Sequence, residues 1–273
     1  MTLPRDEIER IAAYFAPPAF ESLDEFSPEF ETARASDPDF RLWSDNNLAP
    51  HRMPGFAIAT VSLKPIGGVP GDCSHEQLDG LADLLDDFRM AEIRVTHEQN
   101  LVLPHVRKKD LPAVHARLVA LGLATPNAGL ITDIIACPGL DYCDLANARS
   151  IPVAQRIAER FAESSRQREI GELKIKISGC INACGHHHAG HIGILGVDKK
   201  GVEYYQLQLG GSAAEDAAIG EVLGPGFGEH EIADAVEGVV DVYLERRTSG
   251  ERFLDTVRRL GTQPFKERVY AAH

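Results

Sequence analysis

What this sequence does not contain narrows it first. No apolar stretch approaches the roughly 18 residues that a membrane-spanning helix requires, because charges or glycines interrupt every run. The opening residues, Met1 to Glu7, lack the basic-then-apolar order of a secretory leader, so a cytoplasmic location is expected. Positive charge is scarce. With 28 Lys and Arg against 41 Asp and Glu the formal net charge is −13, and such a chain cannot supply the field that displaces counterions from phosphate or holds to anionic lipid. A general nucleic-acid or membrane-surface binder is thereby excluded. Any anion site has to be a local basic pocket or be completed by another polypeptide.

Cysteine is also sparse, but it is not scattered. Four of the five cysteines form two close pairs, Cys137-x5-Cys143 and Cys180-x3-Cys184, and only Cys73 stands alone. In a reducing compartment such pairs read as metal or redox sites before they read as disulfides.

The 273 residues suffice for two modest domains. Residues 1–52 are rich in proline, acids and aromatics. A short helix is expected over Asp6 to Phe15, and the remainder reads as an extended linker that wraps over another surface. From 53 to 124 the pattern is that of a ferredoxin-like α+β unit. Phe56 to Leu63 is a strand, and Ser74 with Gln77 forms a capping box ahead of the apolar stripe Leu78, Leu81, Leu85 and Phe88. Ile93 and Val95 alternate with polar neighbours, Leu101 to Leu103 returns, and Asp110 caps a helix that ends at Gly122.

A mixed α/β domain is expected over 125–273. Leu130 to Ala136 reads as a buried strand running into Cys137, and Ser150-Ile151-Pro152 opens a helix. Leu173, Ile175 and Ile177 alternate with Lys174, Lys176 and Ser178, a strand with one core face and one polar face that leads to Gly179-Cys180. Strands over His191 to Val197 and Tyr204 to Leu209 follow, then helices near Glu229 to Arg246 and Glu251 to Leu260.

Each cysteine pair thus sits at the C-terminal end of a predicted strand, in a glycine-punctuated loop. Two loops can converge their thiolates, and Gly139, Gly179 and Gly185 permit close backbone approach and amide donation to sulfur. Four thiolates complete the ligand set of a cubane iron–sulfur cluster. Structural zinc is the alternative, although its thiolate pairs are usually spaced x2 to x4, and buried free thiols are a third reading. Cys73 has no partner spacing and reads as incidental.

The order C-x5-C then C-x3-C, with Gly179-Cys180-Ile181-Asn182-Ala183-Cys184-Gly185, His186 to Val197 and Gln206 to Gly211, resembles the sirohaem and 4Fe-4S sulfite/nitrite reductase haemoproteins. Within that family it is most like the C-terminal half of the bacterial assimilatory sulfite reductase. The resemblance runs from about residue 50 to the end. It implies a 4Fe-4S cluster on Cys137, Cys143, Cys180 and Cys184, with the Cys184 sulfur also ligating the iron of a sirohaem. The implied reaction is the six-electron reduction of sulfite to sulfide, with nitrite to ammonia as the near neighbour. A non-catalytic iron–sulfur electron carrier and a zinc-stabilised binding module are the readings from other classes.

For the carboxylates of a sirohaem the candidates are Lys174, Lys176, Arg149 and Arg94, with Gln99, Asn100 and Asn182 as hydrogen-bonding partners. Solvent exposure on a polar strand face explains Lys174 and Lys176 equally well. His186, His187 and His188 are expected to shape the rim and meet carboxylates, or to supply protons; with the two lysines they are the candidate catalytic groups. A complete enzyme of this family carries two such halves. The implied partners are therefore sulfite or nitrite, an N-terminal reductase half or a second copy, and a flavoprotein or ferredoxin donor.

Overall fold

A computed structural model describes residues 3–16 and 18–271. The chain opens with α1 (Arg5–Ala13), α2 (Pro28–Ser36) and α3 (Pro38–Asn47). The last two correct the expectation of an extended segment. Ser27 and Asp37 each accept a backbone N–H at a helix start, and each is followed by proline at the first helical position, where a missing N–H costs nothing and φ is already helical. The prolines there start helices rather than prevent them. Phe30, Phe40 and Trp43 point inward from these turns and are buried.

Four strands form the first sheet: β1 (Leu48–Pro50), β2 (Phe56–Val61), β3 (Arg94–Val95) and β4 (Leu101–Arg107), in the order β1-β2-β4-β3 and all antiparallel. Its inward residues Ala57, Ala59, Val61, Leu101 and Leu103 pack with Leu81 and Leu84 of α4 (His75–Asp87), with Val114 and Leu118 of α5 (Leu111–Ala120), and with the aromatics of α2 and α3. The Ser74–Gln77 capping box is formed in both directions. Asp110 precedes α5 as expected but does not cap it; its carboxylate accepts from Arg107 Nε instead. The topology is that of a ferredoxin-like half domain.

The second sheet has the order β10-β8-β7-β6-β5, with β9 pairing β8. Its strands are β5 (Ile135–Ala136), β6 (Ile175–Ser178), β7 (Ile192–Lys199), β8 (Val202–Leu209), β9 (Glu221–Val222) and β10 (Phe227–Gly228). β5, β6 and β7 run parallel; the remaining pairs are antiparallel. The β7–β8 hairpin closes through Lys200 and Gly201, both at positive φ, the backbone that a two-residue hairpin turn demands. α6 (Ile151–Arg160), α7 (Ser164–Ile170), α8 (Ile232–Arg246), α9 (Phe253–Leu260) and α10 (Gln263–Tyr270) complete the lobe. Val153, Ile157, Val236, Val240, Phe253 and Phe265 share one core with Ile175, Ile177, Ile192 and Ile194 of the sheet. α7 and α10 were not expected from the sequence. β5 is shorter than predicted, because Asp133 donates its backbone N–H to Leu130 O in a turn and aims its carboxylate back at Gly129 N, 2.8 Å away.

A buried polar network joins the lobes. Lys64, 3% exposed, places Nζ 2.8 Å from Asp133 Oδ1 and 2.8 Å from the carbonyl oxygen of Glu98. Asn100 donates to the same carboxylate oxygen at 2.9 Å and accepts from Leu63 N. Asn127 accepts from Ser62 and donates to Lys64 O and Thr132 Oγ1, which in turn donates to Gln167. Taking these charges out of water is compensated only while each keeps its partners. Lys64→Ala should therefore cost about 3–5 kcal/mol of unfolding free energy by leaving the buried Asp133 carboxylate without its counter-charge. Lys64→Met with Asp133→Leu should recover part of that loss in urea unfolding; a single variant within about 0.5 kcal/mol of wild type would refute this account.

Candidate functional site

The site grows out of the parallel pairing of β5 with β6. Ala136 stands opposite Ile177, and the Cys137 N–H continues the ladder to Ile177 O at 3.1 Å. Both strands therefore end side by side, with Cys137 immediately after one and Cys180 two residues after the other. The carboxyl ends of parallel strands are where open α/β sheets place their ligands. Cys137 and Cys180 are buried, Cys143 is half-buried and Cys184 is exposed.

The loops are braced by backbone. Asn147 N and Ala148 N both donate to Gly179 O, and Cys143 N donates to Gly139 O. Gly179 N donates to Cys137 Sγ at 3.1 Å, and Ser150 Oγ lies 3.4 Å from the same sulfur. The glycines prove to be needed for loop-to-loop contact. A Cβ on Gly185 would lie 1.9 Å from Ile177 O, and one on Gly179 would lie 2.5 Å from Ala148 O. Ala183 and His186, on either side of Cys184, hold positive φ without being glycine. Such backbone is costly for residues with a Cβ and persists where surroundings over-determine it, often at functional sites.

This donor set fits a multi-iron cluster. Two buried sulfurs, an N–H already directed at one of them and a third and fourth thiol in bracing loops are what a thiolate-held cluster uses.

The other candidate residues fall into distinct positions. Gln99 binds Ala136, the residue before Cys137, by both ends of its amide: Nε2 donates to Ala136 O at 2.8 Å, and Ala136 N donates to Oε1 at 3.0 Å. Asn100 is directed into the interlobe network. Lys174 pairs with Glu98 at 2.8 Å. Lys176 is 3% exposed, and among the described residues its ammonium forms no hydrogen bond or ion pair, while its backbone lies in the β6 ladders. Burial lowers its pKa; Glu98 opposes that and Lys174 reinforces it. All four residues of β6 are buried, so solvent exposure does not account for this lysine. Arg94 is paired with Glu92 and Arg149 with Glu203, both near the surface. Asn182 is exposed in the loop between Cys180 and Cys184.

The histidines diverge. His186 and His188 are exposed, while His187 is buried with Nδ1 unpartnered and its ring edge-on to His188. Burial, and then His188, push His187 down to about 4. His191, the fourth histidine of this run, is buried and accepts from Lys174 N through Nδ1 at 3.3 Å. Burial, then Lys174, bring it to about 4, against a weaker opposing pull from Asp216. Cys73 is half-buried, and burial followed by Asp72 raises its thiol pKa. Ser150, Glu98 and the Lys64–Asp133 pair were missed; a lysine beside a proline after an apolar strand was their one visible signal.

Comparison with known proteins follows the same division of the chain. Residues 128–273 match the nitrite and sulphite reductase 4Fe-4S domain, and residues 59–121 match the nitrite/sulfite reductase ferredoxin-like half domain. The chain is 32% identical over 206 residues to sulfite reductase [ferredoxin] 2 of Mycolicibacterium paratuberculosis, covering 72% of this chain and 36% of that protein. Against the ferredoxin–nitrite reductase of Synechococcus elongatus it is 30% identical over 213 residues, covering 74% and 40%. The sulfite reductase [NADPH] hemoprotein beta-component of Bacillus licheniformis is 31% identical over 193 residues, covering 68% and 32%. The solved structure of the Mycobacterium tuberculosis NirA protein superposes with a TM-score of 0.67 at 28% identity, covering 80% of this chain and 41% of that one. Dissimilatory sulfite reductase I, at 14% identity and a TM-score of 0.65, covers 78% and 69% and shares the fold. The chain thus spans between 32% and 40% of the length of these three curated relatives.

His191 gives a pH test. Its folded pKa lies below the ordinary value of 6.5, so the unfolded chain binds the extra proton first. The associated stability is complete above pH 6.5 and is lost as pH falls towards 4, by up to about 3 kcal/mol. His191→Gln, which keeps an acceptor for Lys174 N, should flatten the fall in urea-unfolding free energy between pH 7 and 4. An unchanged slope would remove His191 from this account.

Proposed function

Since this chain belongs to the nitrite and sulphite reductase 4Fe-4S family, we propose that it is the cluster-bearing C-terminal half of a sirohaem reductase that takes sulfite to sulfide. Cys137, Cys143, Cys180 and Cys184 would hold the 4Fe-4S cluster, and Cys184 would also serve the sirohaem. The observation that carries this reading is the delivery of two cysteine loops by adjacent parallel strands, with Gly179 N–H already on Cys137 Sγ. When bound, the coupled metals store and pass on the electrons that reduction of sulfite consumes, six in all, with six protons taken up and three waters released.

The chain's own residues position and supply. Gly179 N–H stabilises charge on the Cys137 thiolate, which raises the cluster potential. Cys184, exposed where Cys137 and Cys180 are buried, suits a thiolate shared with a second metal group outside the fold. Asn182, beside it, offers an amide to that group. Lys174, paired with Glu98, and the buried Lys176 stand beside the 96–100 turn as the candidate cationic groups for an anion, and the exposed His186 and His188 are the candidate proton donors at the rim. Leu140, Tyr142, Leu145 and Ile181 are exposed on the cysteine loops themselves, apolar side chains that a partner docking there would cover. An N-terminal half of the same family fits that role and supplies the cationic groups this acidic chain lacks. Electrons come from a ferredoxin or a flavoprotein. Nitrite is the second substrate of this reading, because the Synechococcus relative is named for it.

Anaerobic reconstitution should give iron and acid-labile sulfide in comparable amounts, and Cys180→Ser should abolish both. Stoichiometric zinc without sulfide would refute the cluster. Oxidation of reduced methyl viologen by sulfite or nitrite should be slow with the chain alone and rise at least about tenfold when an N-terminal half is added. Full turnover by the isolated monomer would overturn the requirement for that half.

A further inference from the structure

We propose that Gln99 is a positioning residue which fixes Cys137 by serving as a one-residue strand on the open edge of β5. Among the described residues β5 is the last strand of its sheet, and the strand it pairs with is β6. Cys137 N–H turns towards β6, to Ile177 O. The N–H and C=O of Ala136, one residue earlier, point the opposite way, to an edge that no strand among the described residues covers. The Gln99 amide meets both, one as donor and one as acceptor, at 2.8 and 3.0 Å. These are the two bonds a neighbouring strand would make, and they are supplied by a side chain of the other lobe.

The arm that carries this amide is braced at each point. Gln99 sits at φ 57, a left-handed backbone uncommon for a residue with a Cβ. Thr96 holds it there: Thr96 O accepts from Gln99 N, Thr96 N donates to Asn100 O, and Thr96 Oγ1 accepts from Asn100 N and Glu98 N. Gly71 backs the side chain so closely that a Cβ there would lie 2.9 Å from Gln99 Cβ. Asn100, the next residue, is tied to Asp133 and Leu63 N. The rigid path therefore runs from the ferredoxin-like lobe through one amide to the backbone of a sulfur ligand, and that sulfur depends on its placement for the Gly179 N–H bond. The redox part of the inference rests on the reading of Cys137 as a cluster ligand; the mechanical part does not.

The test uses the full chain with Gln99→Glu and Gln99→Met. The introduced carboxylate can accept from Ala136 N but repels Ala136 O; methionine makes neither bond. In the apo chain at pH 8, Cys137 in both variants should react with 4,4′-dithiodipyridine roughly tenfold faster than in wild type, with Cys180 unchanged, each site read by peptide mass spectrometry. At pH 4.5 the ratio to wild type should fall towards one for Gln99→Glu alone, because a protonated carboxyl regains a donor, and stay high for Gln99→Met. In the loaded chain the cluster midpoint should move to more negative potential in both variants as the Gly179 bond weakens. An unchanged Cys137 rate, or an equal rise at Cys180, would overturn the positioning role. Failure of wild type to take up a cluster would sink the proposed function, while the apo comparison would still decide the role of Gln99.

Discussion

Parallel pairing of two short strands is the constraint on which the rest depends. β5 and β6 leave the sheet in the same direction, at neighbouring positions, and at the same level, so whatever follows them must share one small volume. An antiparallel pair would have sent the two cysteine loops to opposite ends of the sheet. The core behind these strands, with Ile175 and Ile177 against α6 and α8, exists to hold that geometry against thermal motion. Backbone hydrogen bonds then stitch the loops to each other through Gly179 O, so the sulfurs are set by main chain more than by side-chain packing.

A buried polar network ties the two lobes together. The Lys64–Asp133 pair, with Asn100 and Asn127, is expensive to desolvate and tolerates few alternative arrangements. Such a junction contributes orientation more surely than it contributes stability. Glu98 belongs to it twice, by its backbone to Lys64 and by its side chain to Lys174, and this places the only lysines of β6 and its approach under the influence of the first lobe.

Much of this was legible in the sequence. The capping box at Ser74 and the strands that end at the cysteines announce themselves by local pattern, because each depends on residues adjacent in the chain. The family resemblance likewise rested on contiguous motifs. α2 and α3 were hidden because proline counts against helix on average and favours it only at the first position, which Ser27-Pro28 and Asp37-Pro38 occupy. The partners of Lys64, Gln99 and Asn100 were not legible at all: Asp133 and Ala136 lie more than thirty residues away, and nothing local distinguishes a glutamine that binds a cofactor from one that binds backbone. β6 misled for a related reason, since alternation shows which residues share a face and not whether that face meets water.

Cys73 bears on how such a centre is assembled. Iron entering an apo chain meets five thiols, and a metal binds the thiolate, so occupancy is decided by competition among them as well as by geometry. Burial and the neighbouring Asp72 carboxylate hold the Cys73 proton in place. A thiol held protonated is a poor metal ligand, so the surroundings of Cys73 disfavour it as a resting place for iron on the ferredoxin-like lobe.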